Sequence, residues 1–216
     1  MSRNNFNKNW EKNKKKLIIN NVYDEADEHS SCGVGLIASI SGKPSREIVE
    51  MGVQALKVLY HRGAVDADGK TGDGAGIQLD LPIDFFKEQI ERSGHKPNKF
   101  PFAVGMIFLP RTNYEDQEKS RIIIESEIIK AGFKIFGWRH VPLNIKIIGE
   151  KAKVTLPEIE QILIGNETFK NKLEFDNKLF VIRKRIEKKI NEENINDFYI
   201  CSMSSQSIFY KESPRN

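Results

Sequence analysis

Cysteine is nearly absent: Cys32 and Cys201 are the only two in 216 residues, too few for a disulfide-stapled secreted scaffold. Long apolar runs are missing as well. With 30% of residues charged, no stretch approaches the roughly 20 apolar residues needed to span a bilayer. No basic start leads into the apolar segment of a signal peptide. A membrane protein is thereby excluded, and a soluble, cytoplasmic one is expected. Charge of one sign is also lacking. The 34 basic residues face 30 acidic ones, a net charge of +4 spread as a mixed surface, so nucleic acid is not an expected partner. No repeat recurs along the chain.

What is present divides into a tail and a body. Residues 1–31 open on Arg3, Lys8, Lys12, Lys14, Lys15 and Lys16 in an Asn-rich stretch, then carry the acidic patch Asp24, Glu25, Asp27 and Glu28. Such a segment packs poorly and reads as disordered. Its acidic patch argues against an organelle transit peptide, which is Arg-rich and acid-poor.

The body begins at Cys32, where the apolar run to Ile40, closed by the turn signal Ser41-Gly42-Lys43-Pro44, predicts a buried strand. Ser45 is a candidate N-cap for a helix whose apolar face carries Ile48, Val49, Gly52, Val53, Leu56, Leu59 and Tyr60. A polar loop from His61 to Gly76 follows, with glycines at 63, 69, 72, 74 and 76, and leads into a second strand marked by Ile77, Leu79 and Leu81. The pattern then predicts a helix near 83–93, a strand at 102–109, and a helix at 114–131 stopped by Gly132. Strands near 133–141 and 158–164, a long helix over 173–191 and a hairpin over 198–210 complete the reading. Strands and helices mix without strict alternation, so the class is α/β or α+β.

Several clusters invite chemistry. Gly69-Lys70-Thr71 ends like a phosphate-binding loop, but the glycine required five residues earlier is Ala64, and a helix stands where a strand should. His61 at a helix end fits capping of the dipole. His140 has no further ligand at a zinc spacing, so no metal is expected. Cys201 sits in an apolar strand pattern and reads as a small buried hydrophobe. Cys32 differs because it stands at the junction of tail and body. Cleavage after Ser31 would put its thiol and a free α-amine on one residue. An amine titrating near about 7.7–8.0 can take and return a proton at neutral pH, and a thiolate is a good nucleophile. On composition alone, a buried structural cysteine remains the simpler reading.

Three segments together change that order: Cys32-Gly33-Val34-Gly35-Leu36-Ile37-Ala38, Tyr60-His61-Arg62-Gly63-Ala64 and Asp68-Gly69-Lys70-Thr71-Gly72-Asp73-Gly74-Ala75-Gly76. They resemble the N-terminal glutaminase domain of the glutamate synthase large subunit, a class II glutamine amidotransferase, over residues 32–212. Gly137-Trp138-Arg139 and Phe198-Tyr199-Ile200-Cys201-Ser202 continue the likeness. The resemblance implies an α+β fold, the αββα sandwich of the N-terminal nucleophile hydrolases, with residues 1–31 a propeptide and 32–216 the front part of the domain. It implies that Cys32 is the catalytic nucleophile toward glutamine and that Arg62 and Gly63 bind substrate. Other class II amidotransferases, the phosphoribosyl and asparagine-forming kinds, are disfavoured by the Lys70-Thr71-Gly72-Asp73 loop.

One departure stands out. The family carries a His-x-Arg-x-Ser-Thr motif that holds the substrate carboxylate and an Asn-Gly pair that forms the oxyanion hole, and neither occurs in this sequence. The sandwich is therefore expected to be incomplete at its C-terminal end and the isolated chain to be inactive. No cofactor is expected in these residues, with FMN and an iron–sulfur cluster assigned to the rest of the intact enzyme. The expected partners are glutamine, the remainder of the large subunit and a small reductase subunit. The alternative is a noncatalytic binding or regulatory module that keeps part of the fold.

Overall fold

The computed structural model describes residues 8, 12–13, 33–59, 66–72, 74–96 and 100–211. Two units are distinguished, Met1–Gly35 and Leu36–Asn216. In the first, Lys8, Lys12 and Asn13 are helical and exposed, and residues 33–35 are exposed without regular structure. The second unit is a mixture of helices and sheets.

Its first helix, α1 (Arg46–Val58), starts where the capping signal places it: Ser45 is extended and its Oγ accepts the Ile48 N–H at 3.3 Å. Ile48, Val49 and Leu56 are half-buried. Gly52 lies toward β1 (Gly76–Asp80), where a Cβ would meet Ile77 Cδ1 at 3.1 Å. Helix α2 (Ile83–Arg92) buries Phe86 and Ile90. Strand β2 (Ala103–Leu109) is buried at all seven positions. Helix α3 (Tyr114–Lys130) is capped by Asn113, which accepts the Asp116 N–H at 3.1 Å. Gly132, at φ +83°, ends that helix as expected, because a left-handed residue there favours glycine.

Strand β3 (Lys134–His140) and β4 (Glu158–Gly165) flank a 3₁₀ turn at Ile145–Ile147 and the short helix α4 (Glu150–Val154). The long helix α5 (Lys172–Glu192) buries Phe175, Leu179, Ile182, Ile186 and Ile190 along one face. Strands β5 (Tyr199–Ser204) and β6 (Ser207–Lys211) close the described chain. Among the described residues, no helix is long and apolar enough to cross a membrane.

Four strands pair antiparallel in the order β3-β4-β2-β5, and β1 pairs antiparallel with β6 in a separate two-stranded sheet. One face of the larger sheet, through Ile107, Leu109, Ile162 and Ile164, packs on α3 and α5. The opposite face, through Val104, Met106, Phe108 and Leu163, packs on Phe86 and Ile90 of α2 and Ile208 of β6. Burial on both faces explains why β2 reads as a continuous apolar run instead of an alternating one. In β3 the register slips between Ile135 and Gly137, leaving Phe136 as the bulged residue with Gly137 at φ +142°.

Two expectations are corrected. Residues 33–39 form no strand: Val34 and Leu36 are about nine-tenths exposed, and the segment joins no sheet among the described residues. An apolar run becomes a strand only if a sheet edge offers its backbone partners, and among the described residues none does. Residues 198–210 are not a paired hairpin either. β5 pairs with β2 while β6, two residues later, pairs with β1, so the chain turns a corner from one sheet to the other.

Candidate functional site

Cys32, Arg62 and Gly63, the site residues read from the sequence, lie outside the described residues, as do His61 and Asp73. The structure does describe the loop that follows Arg62 and Gly63. From Asp66 to Thr71 it is a closed turn: the Asp66 N–H donates to the Thr71 carbonyl at 2.8 Å and the Gly69 N–H to the Asp66 carbonyl at 2.9 Å. Gly69, at φ +66°, supplies the left-handed residue this turn needs.

Asp68 is the centre of that turn. Its Oδ1 accepts the N–H groups of Lys70 and Thr71 at 2.9 and 2.7 Å, and its Oδ2 accepts the Thr71 hydroxyl at 2.6 Å. These donors, the Thr71 hydroxyl foremost, hold the carboxyl well below the usual carboxylate range. A carboxylate thus sits on the N–H groups that a phosphate would need, which agrees with rejecting a nucleotide loop at Gly69-Lys70-Thr71.

The turn is gripped from outside by the segment between β3 and β4. Lys151 of α4 donates through Nζ to Asp66 Oδ2 at 2.6 Å. That bond lowers the Asp66 pKa and raises that of Lys151. Gly149 is buried against the turn so closely that a Cβ would fall 2.6 Å from the Thr71 backbone nitrogen. Sequence reading missed these contacts, because Asp66 and Lys151, and Thr71 and Gly149, are joined only by folding.

A second polar cluster lies where β3 and β4 meet the start of α3. The register pairs His140 with Glu160, and Glu158 falls on the same face two residues away. His140 Nδ1 stands 3.1 Å from Glu160 Oε1 and 3.3 Å from Glu158 Oε1. Arg121 of α3 grips Glu160 with both ends of its guanidinium, Nε to Oε2 at 2.9 Å and the terminal nitrogen to Oε1 at 2.7 Å. His140, Glu158 and Arg121, with Arg111, Thr112, Tyr114 and Gln117, line an open groove of about 600 Å³.

His140, Glu158 and Glu160 present ligand atoms within 4.8 Å of one another, the set that could hold a divalent cation. The ligands missing at sequence spacing from His140 come from the neighbouring strand. Glu160 already has a cationic partner in Arg121, so its charge is met without one. Cys201 is buried in β5, its Sγ 3.8 Å from the Phe209 carbonyl, in accord with its reading as a core residue.

Comparison with known proteins bears on the undescribed positions. The family of class II glutamine amidotransferases matches residues 32–215. The chain belongs to that family. The amidotransferase match starts at Cys32, the residue singled out at the junction of tail and body, and includes the Asp66–Thr71 turn.

The relatives narrow the resemblance. The NADPH glutamate synthase large chain of Azospirillum brasilense is 54% identical over 195 residues, which is 90% of this chain and 13% of that protein. The NADPH large chain of Bacillus subtilis is 38% identical over 191 residues, 88% of this chain and 12% of that one. The ferredoxin-dependent glutamate synthase 1 of Arabidopsis thaliana is 35% identical over 195 residues, 89% and 12% respectively. This amidotransferase domain therefore spans about an eighth of the length of the curated relatives it matches. The likeness to the glutaminase region of the glutamate synthase large chain, read first from three motifs, is borne out.

Proposed function

We propose that residues 32–216 are the glutaminase part of a glutamate synthase large subunit and that residues 1–31 are a propeptide. The observation that carries the reading is the 54% identity to a glutamate synthase large chain over 195 residues. The family match beginning at Cys32 supports the cleavage point. Once Ser31 is removed, the Cys32 thiolate attacks the γ-amide carbonyl of glutamine. The α-amine of the same residue takes the thiol proton and returns it to the departing nitrogen, releasing ammonia. Water then attacks the glutamyl thioester, giving glutamate and regenerating the thiol. Arg62 contributes positive charge beside the nucleophile and contacts substrate together with Gly63. In the intact enzyme, the ammonia would serve the reductive amination of 2-oxoglutarate.

The layering supports an αββα sandwich. α3 and α5 lie on the larger sheet, β6 and α2 on its other face, and Gly52 of α1 comes up to β1. Neither the family's carboxylate-clamp motif nor its Asn-Gly oxyanion pair occurs in these 216 residues. An iron–sulfur cluster does not fit these residues: it takes about four thiolates, and this chain has two cysteines, one of them buried in β5. The cluster and FMN would be held elsewhere in the longer enzyme, along with the contact to a small reductase subunit. The absence of any Asn-Gly dipeptide favours one further reading, a noncatalytic module for the 216 residues alone.

The test is mass spectrometry of the mature N-terminus, with ammonia release measured before and after Cys32→Ser. An active enzyme that retains the tail would refute the α-amine as base, and activity that survives Cys32→Ser would refute the nucleophile.

A further inference from the structure

We infer that residues 143–154, in the excursion between β3 and β4, present an aliphatic surface that docks on another domain of the same large-subunit chain. The inference rests on the proposed reading of the protein as the glutaminase part of that subunit. Four aliphatic side chains stay in solvent along this short segment. Leu143 and Ile145 are about two-fifths exposed, Ile147 71% and Val154 82%. Exposed apolar surface gathered in this way marks an interaction site. The helices differ. Ile122 and Ile129 of α3 stand seven residues apart among Glu118, Lys119, Glu125 and Lys130, as scattered apolar residues on an ordinary surface do. On α5, Phe180 already carries the Lys184 ammonium over its ring at 5.8 Å.

The surface is preformed. The Asn144 carbonyl accepts the Ile147 N–H and its Oδ1 the Lys146 N–H, each at 3.3 Å, which closes the 3₁₀ turn. Polar contacts then hold the excursion on the 66–71 turn. Lys151 Nζ meets Asp66 at 2.6 Å, and the Asp68 carboxyl faces both the Lys151 backbone N–H and the buried Gly149. This clasp uses charges and backbone and leaves Ile147 and Val154 to solvent. An apolar surface fixed in advance loses little conformational freedom on docking.

The occupant is argued from chain length. The excursion lies inside the family match, and the aligned residues make up 13% of the Azospirillum large chain, so about seven-eighths of such a subunit lies outside them. Domains of one chain meet over roughly 600–1,500 Å², an area in which these aliphatics would form the dry centre. A shared chain also raises the effective concentration of that partner above that of any separate protein.

The experiment uses the protein at its full natural length, comparing Ile147→Cys and Val154→Cys with Ile122→Cys on α3. Maleimide labelling followed by peptide mapping gives the rate at each position. The first two should label on the order of tenfold more slowly than the third, because reaction there waits on opening of the interface, and the ratio should not change with protein concentration. Equal rates would overturn the inference. Protection lost on dilution would overturn it in favour of a second copy, and protection gained only with an added subunit in favour of a separate partner. Each variant is checked for folding by its glutamine hydrolysis, and if that is lost, hydroxyl-radical footprinting of Leu143, Ile145 and Ile147 in the unsubstituted protein reads the same protection. Hydrolysis that survives Cys32→Ser would overturn the assigned nucleophile and leave the labelling result standing.

Discussion

Asp176 of α5 accepts the Ser205 backbone N–H at 2.7 Å, and so fixes the corner at which the chain leaves one sheet for the other. Its second oxygen accepts the Ser204 hydroxyl at 2.8 Å and the Gln206 side-chain amide at 2.9 Å. The turn between β5 and β6 is two residues long, and Ser205 within it is fully buried. The carboxylate therefore gives the buried Ser205 N–H an acceptor at a corner where β5 and β6 form no ladder.

Replacing it should be costly. Asp176→Ala strands the buried Ser205 N–H, a loss of about 1–3 kcal/mol, whereas Asp176→Asn keeps one acceptor and should lose less. Urea denaturation of both variants checks the order, and equal stability of Asp176→Ala and wild type would refute the role.

The bulge in β3 has a counterpart in β4. Phe136 lies over Gly165 so closely that a Cβ there would meet the ring at 2.6 Å. Gly165→Ala should displace Phe136 and cost about 1–3 kcal/mol. Adding Phe136→Leu should recover part of that loss, and a thermal melt of the single and double variants decides it.

Arg121 and Glu160 form a pair buried on the acidic side, with side-chain exposures of 17% and 2%. Arg121→Met leaves the buried Glu160 charge with only His140 beside it and should destabilise by about 3 kcal/mol. The double variant Arg121→Met/Glu160→Met should lie closer to wild type, because it removes the stranded charge. A double-mutant cycle measures the difference.

Glu127 of α3 is nearly buried and accepts from Lys189 of α5 at 2.5 Å, which holds its carboxyl below the ordinary range. A carboxylate lowered on folding adds stability above its unfolded pKa of about 4.3 and loses it as pH falls through the folded value. The melting temperature of wild type should therefore exceed that of Glu127→Gln at pH 7, and the gap should close as the pH is taken below about 4. A gap independent of pH would show that the ion pair is not its source.

The 216 residues alone should release ammonia from glutamine far more slowly than roughly 1 per second and should tend to associate through open sheet edges. After removal of the tail, a glutamine-mimicking electrophile should label Cys32 and spare the buried Cys201. Peptide mapping shows which thiol reacts, and light scattering the association. A soluble monomer with ordinary enzyme turnover would sink the first claim, and labelling of Cys201 the second.

Local signals carried much of the fold. Ser45 and Gly132 marked helix ends because capping and left-handed φ are properties of single residues and their near neighbours. Leu179, Ile182, Ile186 and Ile190 declared the buried face of α5 because helical periodicity is written in one segment. The motifs around Cys32, Arg62 and Asp68 pointed to the amidotransferase family for the same reason. Pairing was not legible in this way. Residues 33–40 have a strand's composition but pair with no sheet among the described residues, and β5 and β6 look like a hairpin yet join different sheets. His140 acquired Glu158 and Glu160 only through strand register, and Asp66 acquired Lys151 only when the segment after β3 folded back on the turn. Periodicity, caps and turn residues are set by neighbours in sequence, whereas sheet partners and polar contacts depend on which distant segments arrive at the same place, and only the tertiary structure decides that.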